Sequence, residues 1–309
     1  VSGSAQTRCG FVAVIGAPNA GKSTLVNALV GSKVSIVTQK VQTTRMPVRG
    51  VAIRDAAQIV FVDTPGIFRP RRRLDRAMVN SAWAGAADAD AVLLLADAAQ
   101  LATDPQGLGA RDTNAIVDGL KIAKHKVALV LNKIDAMPLA QLLPLAAGFQ
   151  ETGLFTELFM ISALKGDGID RVGNWCADQV PPGPWLYPAE QAADMPVRLL
   201  AAEITREKVY LRLHDEVPYA ATVETEVWTE KKDGSVRIDQ TIYVERDGQK
   251  ALVLGQQGRT VKAIGEASRK ELEGLLDRRV HLFLFVKVRE NWSERREHFA
   301  AIGLDFPED

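Results

Sequence analysis

Cysteine is nearly absent: the 309 residues hold only Cys9 and Cys176. Two distant thiols exclude a disulfide framework and a thiolate metal centre, and they are expected to stay reduced, as in a cytoplasmic protein. No apolar run approaches the roughly 20 residues that cross a bilayer. Residues 1–8 lack the apolar core of a secretory leader. Charge of one sign is missing too, since 38 Lys and Arg balance 38 Asp and Glu. Global charge therefore neither attracts nor repels a polyanion, and any basic surface has to be local. His125, His214, His281 and His298 are scattered without ligand spacing. No internal repeat or low-complexity tract is evident. What is present is ordinary: 47% hydrophobic residues, enough for packed cores, on a length that suits about two domains.

The two halves follow different patterns. Up to about residue 178, short apolar runs at 11–15, 59–62, 91–96, 127–131 and 158–161 alternate with helical patterns. Such runs suit parallel strands buried on both faces, with an edge strand at 51–53 beside 59–62. The expected fold is a doubly wound α/β domain over 8–180, with ligands at the carboxyl ends of its strands. Pro181, Pro182, Gly183, Pro184, Pro188 and Pro196 mark 181–197 as a linker. Residues 198–290 then read as a small α+β domain of order α-β-β-α-β, followed by a tail over 291–309. In that reading Asp233-Gly234 and Asp247-Gly248 are turns. Residues 101–119 read as a polar surface insertion.

Gly16-Ala17-Pro18-Asn19-Ala20-Gly21-Lys22-Ser23-Thr24 is a complete G-x-x-x-x-G-K-[ST] loop between a strand and a helix. Its glycines let several N–H groups converge on one anion, and the helix N-terminus adds positive potential there. Lys22 can reach β- and γ-phosphates, and Ser23 can place a hydroxyl on Mg²⁺. Asp63-Thr64-Pro65-Gly66 follows the next buried strand. Its carboxylate suits the Mg²⁺ shell, and the Gly66 N–H suits a γ-phosphate. Between them, Gln42-Thr43-Thr44-Arg45 offers a threonine hydroxyl that completes the metal shell only with γ-phosphate present, the basis of an order–disorder switch. Asn132-Lys133-Ile134-Asp135 names the base. A carboxylate accepts from guanine N1–H and N2–H₂ together, whereas adenine would leave it unpaired. Asn132 can tie neighbouring loops, and the Lys133 stem can lie over the base. Ser162-Ala163-Leu164 offers an N–H to guanine O6.

In the second half, Gly255-Gln256-Gln257-Gly258 opens a helix, and over residues 259–270 Arg259, Lys262, Arg269 and Lys270 are opposed only by Glu266. Paired glycines let a backbone approach a phosphate–sugar track, and the helix N-terminus favours phosphate. Val253, Leu254, Val261 and Ile264 are expected to floor a base-binding groove. Arg69, Arg71, Arg72 and Arg73 form a second basic cluster, either a solvated face or a nucleotide-controlled contact.

The strings GAPNAGKST, QTTR, DTPGI and NKID, with GQQG and KAIGEASRKELE, resemble the Era family of GTPases over nearly the whole chain. The resemblance implies a P-loop G domain and a type II KH domain. It implies GTP and GDP as ligands with Mg²⁺, held through Ser23, Thr44 and Asp63, and Thr44 rather than Thr43 as the switch threonine. It also implies slow GTP hydrolysis that involves Lys22, Thr44 and Gly66. The implied partners are the 3′ end of small-subunit ribosomal RNA, bound through the KH domain, and the small subunit during its assembly. Related GTPases use an asparagine at the Asn19 position to hold K⁺. Ras-type GTPases carry a water-orienting glutamine where this chain has Ile67. Family members often carry lysine inside the GxxG, where this chain has Gln256 and Gln257. A cytoplasmic monomer is expected. Competing readings are a tandem-domain or tRNA-modifying assembly GTPase, a kinase or ATPase on the same loop, and a membrane-surface GTPase. In the last, Trp292, Arg295 and Arg296 would touch the inner face of the cell membrane.

Overall fold

The apolar runs become strands of one sheet. In the computed structural model, which describes residues 6–122 and 126–308, these are β1 (Arg8–Gly16), β3 (Ala57–Asp63), β4 (Ala91–Asp97), β5 (Val127–Asn132) and β6 (Glu157–Met160). All five are parallel, and β2 (Val48–Arg54) closes one edge antiparallel to β3. The order β2-β3-β1-β4-β5-β6 reverses at β1, which places the loop after β1 at the topological switch point. His125 lies outside the described residues.

Helices cover both faces, which is why β3 and β5 are buried throughout. On one face α1 (Lys22–Val30) and α6 (Ile169–Gln179) bring Leu25, Val26, Val172 and Cys176 onto Val12, Val14, Leu93 and Val130. On the other, α2 (Arg73–Ala87), α4 (Leu108–Leu120) and α5 (Leu139–Gln150) bring Ala82, Ile116, Leu120 and Leu142 onto Ala13, Ile15, Leu94 and Leu129.

Residues 101–119 are not the expected surface insertion. They run from the end of α3 (Ala98–Thr103) through a short turn into α4. Ala110, Thr113, Ile116, Val117 and Leu120 are buried at helical spacing, and this stripe outweighs the glycines and polar residues that suggested a loop.

The proline-rich stretch after α6 is fastened down. Buried Gln58 donates to Tyr187 O (2.8 Å) and accepts from Leu186 N (2.8 Å) and Tyr187 N (3.0 Å). Trp185 Nε1 donates to Ala56 O, and the β2 edge exchanges hydrogen bonds with Ala192 and Asp194. By its contacts the first unit runs to Ser35, resumes over Thr44–Asp194 and takes in the chain from Ile302. The second unit joins Ile36–Thr43 to Met195–Ala301.

In the second unit α7 (Val197–Arg212), β7 (Ala221–Glu230) and β8 (Val236–Val244) are followed by α8 (Asp247–Leu254), α9 (Arg259–Leu276), β9 (Val280–Val288) and α10 (Arg296–Ala301). The sheet order is β7-β8-β9, with β7 antiparallel and β9 parallel to β8. Ala202, Val209, Val253 and Ile264 from the helices pack on Val223, Ile242 and Val244.

The order is thus α-β-β-α-α-β, because Asp247-Gly248 starts a helix rather than a turn. Gln249 Oε1 accepts from Glu245 N (2.9 Å) and Arg246 N (3.1 Å), and Asp247 adds a carboxylate to the first turn. Those caps offset the helix cost of one glycine, about 1 kcal/mol. Among the described residues, no helix is long and apolar enough to cross a membrane.

Candidate functional site

Everything the sequence places in the nucleotide site of the first unit except Thr44, which lies in the segment between α1 and β2, stands on a loop or helix start after β1, β3, β5 or β6. After β1, Gly16 ends the strand and α1 begins at Lys22. Ala17 and Ala20 are buried, Pro18 and Thr24 half-buried, and Asn19 is exposed in the left-handed region (φ 63°). Gly21 has φ +98°, and a Cβ there would stand 2.3 Å from Asn132 Nδ2, so no larger residue fits. The Lys22 ammonium is buried and donates to the loop carbonyls of Gly16 (3.1 Å) and Ala17 (3.0 Å). Burial pulls its pKa down to about 8 against the opposing pull of Asp63. Neutral carbonyls are weak partners for a buried cation, and phosphate oxygens are strong ones.

The metal-type oxygens converge. Ser23 Oγ donates to Asp63 Oδ2 (2.7 Å) and lies 2.9 Å from Thr44 Oγ1, which is 3.5 Å from the same carboxylate oxygen. Thr43 faces elsewhere: its hydroxyl meets Thr38 Oγ1 (2.6 Å) and Lys40 O (2.7 Å). Asp63 is fully buried, and among the described residues its Oδ1 has no hydrogen-bond partner, although the Ser35 hydroxyl also favours its ionised form. Burial raises its pKa, opposed by the Ser23 hydrogen bond and the Lys22 charge. A buried carboxylate with an orphaned oxygen beside two hydroxyls is a hard-oxygen donor set that fits Mg²⁺. Thr64 Oγ1 donates to Val14 O (2.8 Å), and Ile67 N donates to Gly16 O (3.1 Å), which seats the turn through Pro65 and Gly66 against the phosphate loop. The Ile67 side chain is buried in the core, so nothing at that position can hydrogen-bond a water.

Asn132 joins three loops. Its Nδ2 donates to Ala20 O (2.8 Å), and its Oδ1 accepts from Ala163 N (2.9 Å). The Ala163 N–H expected for guanine O6 is therefore engaged by Asn132 in this structure. Lys133, at φ +65°, pairs with Asp97 (2.6 Å). Asp97 was not singled out from the sequence. The signal was its place directly after the buried run of β4, where strand-end ligands gather. A Ser162 hydrogen bond, helped by Lys165 and Lys133, holds the Asp135 carboxyl below the usual carboxylate range. Ser162 is buried, whereas Leu164 is exposed.

In the second unit Gly255, Gln257 and Gly258 all have positive φ (70°, 54° and 74°), and the loop lies between α8 and α9. Gln256, Gln257, Arg259, Lys262, Arg269 and Lys270 are exposed. Val253 and Ile264 are wholly buried core residues, so only half-buried Leu254 and Val261 remain for an apolar floor. Helix α8 turns Val253 inward, and Ile264 falls on the core face of α9.

Asp75 accepts from the backbone N–H groups of Arg71 (3.1 Å) and Arg72 (3.0 Å) at the start of α2, leaving Arg69, Arg71 and Arg72 exposed. Arg73 is half-buried over the Phe306 ring, 4.7 Å from its centroid. Trp292 is buried and donates to Ala220 O (2.9 Å), so it cannot insert into a membrane interface.

A phosphate loop, a buried aspartate for the metal shell and a guanine-type N-K-x-D loop, followed by a separate GxxG unit, define a P-loop GTPase domain with an RNA-binding-type module. Residues 11–133 match the family model of the 50S ribosome-binding GTPases, and residues 216–293 match that of the KH domain. The chain is 60% identical over 308 residues to GTPase Era of Caulobacter vibrioides, covering 97% of this chain and 98% of that one. It is 60% identical over 302 residues to GTPase Era of Brucella suis, covering 98% and 95%.

A variant of Aquifex aeolicus Era bound to GDP and AlF₄⁻ superposes with a TM-score of 0.88 at 38% identity, over 96% of this chain and 99% of that one. A structure of Era with MgGDPNP and nucleotides 1506–1542 of 16S ribosomal RNA gives the same score, identity and coverage. The chain belongs to the Era family of GTPases and hydrolyses GTP.

Base choice is directly testable. Asp135→Asn replaces the double acceptor with one acceptor and one donor. GTP affinity should fall by about 100-fold or more, while xanthosine triphosphate, with a carbonyl at C2, binds better than GTP. Equal GTP affinity in nucleotide titrations of variant and parent would refute the assignment.

Proposed function

We propose that the chain is a GTP-controlled RNA-binding switch that engages small-subunit (16S-type) ribosomal RNA near its 3′ end and assists small-subunit assembly. The carrying observation is the GxxG loop with exposed Arg259, Lys262, Arg269 and Lys270 following it on α9, in the same chain as a candidate GTPase site. The relative solved with MgGDPNP and 16S nucleotides supports this choice of RNA.

In this reading the N–H groups of Gly16 to Thr24 cradle the phosphates, and Lys22 bridges the β- and γ-groups. Ser23, Thr44 and Asp63 hold Mg²⁺, which neutralises phosphate charge when bound. The Gly66 N–H senses the γ-phosphate. Asp135 reads the guanine edge, Asn132 fixes the loops around it, and Lys133, steadied by Asp97, lies along the base. With Ile67 in place of a water-orienting side chain, unassisted hydrolysis is slow, on the order of 10⁻⁴ s⁻¹. Gly255 to Gly258, with Arg259, Lys262, Arg269 and Lys270, hold the RNA backbone. The protein acts as a cytoplasmic monomer.

The exposed amide of Asn19 beside the phosphate loop gives K⁺ a ligand at the developing charge. Hydrolysis should then run faster in KCl than in NaCl at equal ionic strength, and Asn19→Ala should erase the difference. Equal rates in the two salts would eliminate the K⁺ role.

The RNA assignment is tested by crosslinking in cells. Protein locked with GTP should enrich one site at the 3′ end of small-subunit RNA, the GDP form should not, and Gly258→Asp should lose the site while keeping GTP affinity. Position 258 has open space around it but a left-handed backbone, so the added carboxylate acts locally on the loop. Enrichment elsewhere, or joint loss of RNA and GTP binding, would refute the proposal.

A further inference from the structure

Residues 69–76 read Arg-Pro-Arg-Arg-Arg-Leu-Asp-Arg, five arginines and one acid in a chain of zero net charge. None of them belongs to the nucleotide site. Charge of this density normally repels itself into a loose, solvated loop. Here the backbone is held at almost every step. Ile67 N donates to Gly16 O (3.1 Å) at one end, and Leu74, Ala77 and Met78 of α2 are buried at the other. Between them the Asp75 carboxylate, on α2, accepts from Arg71 N (3.1 Å) and Arg72 N (3.0 Å). The Asp112 carboxylate, on α4, accepts from Arg69 N. Pro70 has no N–H to satisfy, fixes its own φ and keeps Arg69 extended. Every residue of this assembly belongs to the first unit.

Both carboxylates thus hold backbone. Arg69, Arg71 and Arg72 are exposed, and among the described residues none of their guanidiniums has an ion-pair partner. Other surface arginines differ: Arg237, Arg278 and Arg289 each pair with a carboxylate. Three unpaired guanidiniums on a held backbone form a pre-ordered cationic surface, and binding there loses less backbone entropy than binding to a mobile tail.

The guanidinium fork matches phosphate oxygens in pairs. An extended chain rises about 3.3 Å per residue, so the three side chains stem from about 10 Å of backbone. A nucleic-acid strand carries one phosphate per about 3.4 Å of helix axis, so the run can meet several phosphates together. A membrane would call for an apolar face beside the cations, and over the described residues 42–107 no large apolar side chain is exposed. We propose that Arg69, Arg71 and Arg72 form an RNA-backbone-binding surface of the first unit, a second RNA contact besides the GxxG loop. This rests on the reading of the chain as an RNA-binding protein. The surface holds phosphate rather than base, so it adds affinity without sequence preference.

Full-length protein with Mg²⁺ and a non-hydrolysable GTP analogue is titrated across salt concentrations with two RNAs. One is polyuridine of about 30 nucleotides, which reports phosphate contacts, and the other matches the 3′ end of small-subunit ribosomal RNA. The test variant combines Arg69→Gln, Arg71→Gln and Arg72→Gln. It keeps the backbone anchors, so its GTP affinity should stay within about twofold of the parent. Polyuridine affinity should fall about tenfold at low salt, and the slope of log affinity against log salt should lessen by about 2, or about 0.7 for each phosphate lost. The same change should appear in a Gly258→Asp background.

An unchanged slope in the triple variant would overturn the proposal. If Gly258→Asp meanwhile loses the 3′-end RNA, the RNA-binding reading stands and the proposal alone fails. If neither variant changes either RNA, both fail. A loss of GTP affinity parallel to the loss of polyuridine would make the arginines structural and overturn the proposal. So would a triple variant that loses phosphatidylserine vesicles and keeps RNA, which would assign the surface to a membrane.

Discussion

The side-chain amide of Asn132 is the interaction on which the nucleotide site depends. One residue, 2% exposed, donates to the phosphate loop and accepts from the loop after β6. It thereby ties the phosphate loop to the loop after β6, the two places that phosphate and base recognition occupy in the proposed reading. An apolar residue there would leave a buried carbonyl and a buried N–H unpaired, at about 1–3 kcal/mol each. The close approach of Gly21 is part of the same constraint, because the amide occupies the space a Cβ would take. The parallel sheet serves this junction by delivering the ends of β1, β3, β5 and β6 to one edge, where backbone turns can point polar groups at a ligand.

The site carries two buried charges in tension. Lys22 is pulled toward neutrality by burial, opposed by the Asp63 charge, and donates to two backbone carbonyls, while Asp63 is pushed toward its neutral form and among the described residues leaves one oxygen unpaired. A ligand bearing phosphate and a hard cation resolves both at once. In the proposed reading guanine is chosen separately, by Asp135, whose carboxyl the Ser162 hydrogen bond, with Lys165 and Lys133, holds below the usual carboxylate range. Ile67 is committed to the core, which in the proposed mechanism leaves unassisted hydrolysis without a water-orienting side chain at that position.

The first-unit fold and most of its site were legible in the sequence because each motif is short and anchored to an apolar strand end. Asp97 escaped notice because its role is set by Lys133, a distant residue. Helix α4 is hidden in the sequence where glycines mask a stripe whose burial only tertiary packing makes visible. Helix α8 is hidden in the sequence because Gln249 supplies its cap from inside, so Asp247-Gly248 reads as a turn and Val253 as groove floor, whereas Ile264 falls on the core face of α9. The hold of Asp112 on Arg69 joins segments far apart in the chain and leaves no mark in local pattern.

A GTP-gated RNA module requires reciprocal linkage: GTP must strengthen RNA binding by the same factor by which RNA strengthens GTP binding. The decisive measurement closes that cycle with full-length protein, a non-hydrolysable GTP analogue, GDP and an RNA matching the 3′ end of small-subunit ribosomal RNA, at one fixed salt concentration. The predicted result is an equal gain in both directions, about fivefold or more for the analogue and absent for GDP. RNA affinity that is the same with the analogue and with GDP would make the two units independent and contradict the switch.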